Sequence, residues 1–156
     1  MSVLIQGDQL RSLLCGVKVQ RATAALPQTS TSTLFTVSGG KVLITSLIGE
    51  VTTVIQTQAD NTKLTFDPTD AGATQDLCAV LDITADAVGT LYSVTGTPGT
   101  AMQDALNFLP SNKVPAQPIV LKPGSILLDC AASNTGSVKW ELTYIPLDNG
   151  ASVAAA

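Results

Sequence analysis

Apolar and polar residues alternate in short runs along most of this chain. The clearest run is Ser137-Val138-Lys139-Trp140-Glu141-Leu142-Thr143-Tyr144. Val138, Trp140, Leu142 and Tyr144 share one face, and Lys139, Glu141 and Thr143 share the other. A period of two marks a strand with one buried face, so Trp140 is expected in the core. A strand over 34–37 ends at Ser38-Gly39-Gly40, a good turn. Residues 41–47 are apolar on both faces, as a central or interface strand would be. Gly49-Glu50 leads into a strand over 51–58, and Asp60-Asn61 turns the chain into 63–66. Over 76–84, Leu77, Ala79, Leu81 and Ile83 alternate with Cys78, Val80, Asp82 and Thr84, a period of two. A further strand runs over 90–95, between Gly89 and Gly96. Strands over 119–121 and 126–130 flank the turn Lys122-Pro123-Gly124-Ser125, and Pro146 ends the last strand.

Roughly eight or nine short strands with regularly spaced turns predict an all-β fold, a sandwich or barrel. Two long loops, near 67–76 and 97–117, suggest crossovers of the Greek-key type, with a helical turn over 101–106. The expected fold is an antiparallel β-sandwich, jelly-roll-like (Greek-key), with an N-terminal arm. No internal repeat at a solenoid or propeller period is visible.

The ends read differently. Leu4, Leu10, Leu13, Leu14 and Val17 include helical spacings and predict a short helix or packing arm that makes the partner contacts. Residues 22–33 are small and polar with one proline, the composition of a strap. The expected organisation is an arm and strap over 1–33, a sandwich over 34–148 and a short tail over 149–156. The first segment lacks a basic n-region, and Gln6, Gly7, Asp8, Gln9 and Arg11 break its apolar stretch. It therefore reads as part of the mature protein.

Composition narrows the function. Charged residues are 13% and histidine is absent. Without histidine, Ser-His-Asp and Cys-His nucleophiles are excluded and the commonest general base is missing. No P-loop or dinucleotide fingerprint is present: Gly39-Gly40-Lys41-Val42 carries Val where Ser or Thr is needed. Net charge is −4, and the eight basic residues are scattered. A nucleic-acid surface needs a concentrated positive face. No run approaches the roughly 18 apolar residues of a membrane span. Cys15, Cys78 and Cys130 have no paired spacing, so free buried thiols are expected and no metal or cofactor site. Asp67, Asp70 and Asp76 lie in or beside one acidic loop and offer oxygen ligands to a cation such as Ca²⁺, but without EF-hand spacing, and turn-forming and capping roles explain them better. Asp82 and Asp86 are a candidate carboxylate pair of glycosidase type, at the end of an expected strand with no aromatic platform nearby. Aromatic residues are 4% of the chain, which disfavours a carbohydrate-binding module. The hydrophobic content of 45% exceeds what a monomer core needs and predicts self-association. The chain reads as non-enzymatic and structural.

The stretches 39–69, 76–97 and 136–156, among them GGKVLITSLIGEV and GSVKWELTYIPLDNGASVAAA, resemble small virion structural proteins of tailed bacteriophages. The resemblance spans most of residues 34–156. It implies a capsid decoration, or cement, protein on the outside of the head, made in the host cytoplasm. It also implies a β-sandwich or jelly-roll homotrimer, with the major capsid protein as partner and the N-terminal arm as the clasping element. Tail, fibre or baseplate β-proteins of the virion are the alternative.

Overall fold

The computed structural model describes residues 7–105 and 117–156. Among these the chain forms a helix, α1 (Gly7–Cys15), and twelve strands. They are β1 (Val17–Ala25), β2 (Thr31–Ser38), β3 (Val42–Thr53), β4 (Asn61–Pro68), β5 (Gln75–Asp76), β6 (Leu81–Asp82), β7 (Leu91–Ser93), β8 (Gln103–Ala105), β9 (Ile119–Leu121), β10 (Gly124–Cys130), β11 (Ser137–Pro146) and β12 (Ser152–Ala155). One sheet, sheet A, has the order β1-β11-β3-β7-β8, with β9 also on β3. The other, sheet B, has the order β12-β2-β10-β4-β5, with β6 also on β4. The strand pairings are antiparallel.

The pairing is nested. β11 lies between β1 and β3 in sheet A, while β10 lies between β2 and β4 in sheet B. The chain changes sheet at seven of the eleven connections between the described strands, and the nested orders β1-β11-β3-β7 and β2-β10-β4-β5 are those of a jelly roll. Apolar side chains of both inner faces fill the space between the sheets. The largest fully buried ones include Trp140, Tyr92, Phe35, Leu34 and Ile44. The rings of Tyr92 and Trp140 stack with centroids 6.4 Å apart.

Trp140 is accommodated because its direct cross-strand partner is Gly49. A Cβ on Gly49 would sit 2.8–2.9 Å from the indole ring. Gly49 therefore does not break a strand. It lets β3 run unbroken from Val42 to Thr53 where the sequence suggests two strands. β3 also carries a bulge: Ser46 pairs Thr143 while Ile44 pairs Tyr144, leaving Thr45 extra. The bulge shifts the alternation, so Leu47, Ile44 and Val42 all face inward and are buried.

One end of the sandwich is tied by hydrogen bonds between crossing loops. Asp60 is fully buried. Its amide donates to Asp82 Oδ1 at 3.0 Å, and its Oδ1 accepts from the Ala132 amide at 3.0 Å. Its carbonyl accepts from the Ile83 amide. Asn134 donates to the Gln58 carbonyl, and Gln28 donates to the carbonyls of Asn134 and Leu26. Loops leaving β1, β3, β6 and β10 thus share one network, which satisfies backbone groups that no strand ladder reaches.

Several expectations change. Residues 17–25 and 31–33, read as arm and strap, belong to β1 and β2, so the sandwich begins at Val17. Their small polar side chains hide the pattern because β1 is an edge strand, mostly exposed. The tail is β12, paired to β2 and anchored by Val153 and Ala151, both buried. The span 76–84 holds only the two-residue strand ends of β5 and β6, because Leu77 and Cys78 are both buried and the alternation breaks. Residues 103–105 of the expected helical turn are strand β8; residue 106 lies outside the described residues. Cys78 and Cys130 are buried free thiols as expected, but Cys15 is exposed.

Gly49→Ala is expected to lower stability by about 1–3 kcal/mol, the usual cost of forcing extra volume into a packed core. Urea denaturation followed by Trp140 fluorescence reads this. An unchanged midpoint would mean that the glycine is not required by the ring.

Candidate interaction surface

Helix α1 follows the sequence-predicted arm. It stops at Gly16, whose amide donates to the Ser12 carbonyl and whose φ is +93°. A Cβ at Gly16 would lie 2.5 Å from the Tyr144 carbonyl oxygen, so only glycine turns the chain from helix into β1 there. Leu10 and Leu14, four residues apart, share a helix face and are 49% and 73% exposed. Val17 is not helical. It is the first residue of β1, pairs Tyr144 and is 39% exposed. Leu4 lies outside the described residues, as does the side chain of Leu13. The helix is tethered lightly, with Thr45 Oγ1 donating to the Cys15 carbonyl at 3.3 Å. Between the helix end and sheet A lies a groove of about 400 Å³, lined by Leu14, Cys15, Thr45, Ser46, Pro118 and Thr143 among others.

Beside this groove the outer face of sheet A carries an apolar row that the sequence did not single out. Val120 of β9 pairs Leu43 of β3, and Leu43 pairs Ile145 of β11. Their chain neighbours Val42, Ile44, Leu121 and Tyr144 are buried. The three therefore project outward, within cross-strand contact of one another. Val120 is 54% exposed, and Leu147, two residues beyond Ile145, is 50% exposed. The signal was present in the two-faced apolarity of 41–47, which the bulge at Thr45 turns into one inner and one outer apolar row.

The two outer faces differ in charge. On sheet A, Lys18 pairs Glu141 at 2.7 Å and Lys139 pairs Glu50 at 3.1 Å, leaving the strands neutral. Partial burial pushes the Glu141 carboxyl up, but the Lys18 ammonium and the Gln20 amide outweigh it and hold it below its ordinary value. On sheet B and its loops, Lys63 and Lys122 face four aspartates. Lys63 pairs Asp76 at 2.8 Å and Lys122 pairs Asp70 at 2.7 Å. Asp129 lies opposite Lys63 in the ladder, and Asp67 accepts from the Thr74 hydroxyl. The three aspartates considered for a cation are thus engaged separately. Among the described residues no group of three or more His, Cys, Asp or Glu could hold a metal ion.

The candidate carboxylate pair sits at the opposite, hydrogen-bonded end. Asp82 is held below its ordinary value by the Thr84 hydroxyl and the Asp60 and Thr84 amides, all on Oδ1. Asp86 is pushed up by burial, against the Tyr92 hydroxyl that donates to it at 2.5 Å. Both carboxylates close loops: Asp82 fastens 60 to 84, and Asp86 caps the buried Tyr92. Burial pushes the Cys78 thiol up and the Cys130 thiol up to about 12, so neither supplies a thiolate at neutral pH. No helix among the described residues is long and apolar enough to cross a membrane. Comparison with family models, with curated proteins and with solved structures gives no match.

The raised Asp86 carboxyl makes a pH prediction. A carboxyl whose folded pKa lies above its unfolded value favours the folded state when protonated. That advantage is present at pH below the unfolded value and is lost as pH rises through the folded one. Asp86→Asn keeps an acceptor for Tyr92 and removes the titration. Relative to this variant, the wild type is expected to lose stability as pH rises through the carboxylate range, read by denaturation midpoints. Parallel pH profiles would show that Asp86 carries no such linkage.

Proposed function

We propose that this chain is a non-enzymatic structural protein of a tailed-phage virion, a decoration protein that binds the outside of the head and stabilises the capsid lattice. The observation that carries this reading is the position of its uncovered apolar side chains. Leu10 and Leu14 of α1, Val120, Leu147 and the half-buried Leu43 and Ile145 lie toward one end of the sandwich, while Val54, Val80 and Val88 are the exposed large apolar residues elsewhere. A contiguous exposed apolar patch on a soluble fold marks a docking surface. A protein that sits on a repeating shell needs such a surface on a rigid body, and the crossing-loop network and the packed core make the body rigid.

The jelly-roll fold supports the reading at the level of architecture only, since one fold hosts many functions. The resemblance in texture to small virion proteins supplies the partner, the major capsid protein. Helix α1 is the element assigned to it, because it enters the sheet through Gly16 and presents two exposed leucines. Repetition over equivalent shell positions multiplies modest single-site affinity when copies are linked to one another.

The test is co-sedimentation of the protein with empty phage heads that lack it. The wild type is expected to bind to saturation. Leu10→Asp combined with Leu14→Asp is expected to bind roughly 100-fold more weakly, since each buried leucine is worth about 1.5–3 kcal/mol. Failure of the wild type to bind heads would overturn the reading. Equal binding by the double variant would remove α1 from it.

A further inference from the structure

We infer that the crossing of segments 58–60 and 131–134 is a binding site for a hard cation of the calcium class, with Asp60 and Asn134 as its side-chain ligands. The inference is independent of the virion reading and uses none of the residues assigned there to a partner.

Hydrogen bonds build the crossing. The Ala131 amide donates to the Asn61 carbonyl. The Ala132 amide donates to Asp60 Oδ1 at 3.0 Å, and Asn134 Nδ2 donates to the Gln58 carbonyl at 2.9 Å. These bonds fix how both side chains are turned. Flipping the Asn134 amide would set two carbonyl oxygens against each other, so its nitrogen faces Gln58. Each side chain is left with one oxygen that no donor among the described residues reaches, Asp60 Oδ2 and Asn134 Oδ1. Asp60 is fully buried and Asn134 is 2% exposed. A buried acceptor without a partner is costly, and a charged one more so.

Charge favours a cation over a neutral donor. The ion pairs of Lys18, Lys63, Lys122 and Lys139 are made with other carboxylates. Asp82 adjoins Asp60 and accepts its amide at 3.0 Å. Asp86 lies within the field of Asp82. Among the described residues, no basic side chain pairs with any of these three. The neighbouring donor is the buried Cys130 thiol, a weak one, and its Sγ already accepts from the Thr62 hydroxyl at 3.6 Å. A bridging water would satisfy both oxygens and leave the charge uncompensated. A cation does both.

The donor set selects the class of ion. A carboxylate and an amide carbonyl are hard oxygen ligands, and burial keeps the Cys130 thiol protonated, so no soft ligand is offered. Calcium takes roughly six to eight oxygens in a flexible arrangement and accepts backbone carbonyls and water as well, whereas magnesium demands a near-ideal octahedron. Such a set needs no cluster of three acidic, His or Cys ligands. With one direct carboxylate the affinity belongs to the weak, millimolar class. Binding would clamp the loop between β3 and β4 to the loop between β10 and β11.

The experiment is a calcium titration of the full chain after chelator treatment and dialysis, by isothermal calorimetry and by thermal melting. Magnesium at equal concentration controls for general screening of the negative chain. The wild type is expected to bind one calcium per chain and to melt several degrees higher at millimolar calcium, with little response to magnesium. Asp60→Asn keeps an acceptor for the Ala132 amide and removes the charge; it is expected to lose the calcium response. Asp67→Asn combined with Asp70→Asn, in the acidic loop of sheet B, is expected to keep it. Should Asp60→Asn fail to fold, Asn134→Ala removes the other oxygen and is expected to raise the calcium dissociation constant at least several-fold. A wild type that binds no calcium overturns the inference. So does a response that vanishes with the Asp67 and Asp70 changes, or one that survives the changes at both Asp60 and Asn134.

Discussion

The packing of the Trp140 indole over Gly49 is the constraint from which the rest of the molecule follows. Trp140 is the only tryptophan and is 1% exposed. It stacks on Tyr92 and leaves no room for a side chain on the strand opposite. That fixes β11 against β3 in one register at the centre of sheet A. Side chains alternate with a period of two, so a fixed register decides which residues face water. Lys139, Glu141, Thr143 and Ile145 must then point outward. The bulge at Thr45 completes the assignment by bringing Ile44 and Val42 inside and sending Leu43 out. The apolar outer row is thus a consequence of core packing together with one extra residue in β3.

The same register divides the sandwich into two unlike ends. At one end four crossing loops are joined through Asp60, Asp82, Gln58, Asn134 and Gln28. The carboxylates there are used as acceptors for backbone amides and hydroxyls, which explains acidic residues without invoking chemistry on a substrate. At the other end the chain arrives through α1 and Gly16, and apolar side chains remain uncovered. The exposed leucines of α1 and the strand row Val120-Leu43-Ile145 both lie at this end.

Much of this was legible in the sequence, for reasons that individual residues make clear. The alternation around Trp140 is strict, and the structure follows it residue by residue. The all-β class follows from short runs and turn residues, but the loop near 67–76, expected to cross between sheets, joins β4 to its paired neighbour β5 within sheet B. The leucine spacing of α1 was legible as well. What escaped was written in side chains too small to carry a pattern. The β1 stretch Ala22-Thr23-Ala24-Ala25 and the β12 stretch Val153-Ala154-Ala155 are strands because neighbouring strands pair with them, not because their own residues prefer it. Gly49 resembled a break because sequence does not reveal that a tryptophan lies across from it. The row Val120-Leu43-Ile145 joins residues up to about a hundred positions apart, so only the ladder brings it together. Its one local trace was the two-faced run at 41–47, and only the bulge explains that run.

The central claim is that this end of the sandwich is made to sit on a repeating protein shell. It is tested most directly by electron cryo-microscopy of empty heads with and without the added protein. The account predicts difference density of jelly-roll size at symmetry-equivalent sites on the outer surface, with α1 against the shell. Density confined to the tail or baseplate, or copies attached through the acidic face of sheet B, would contradict it.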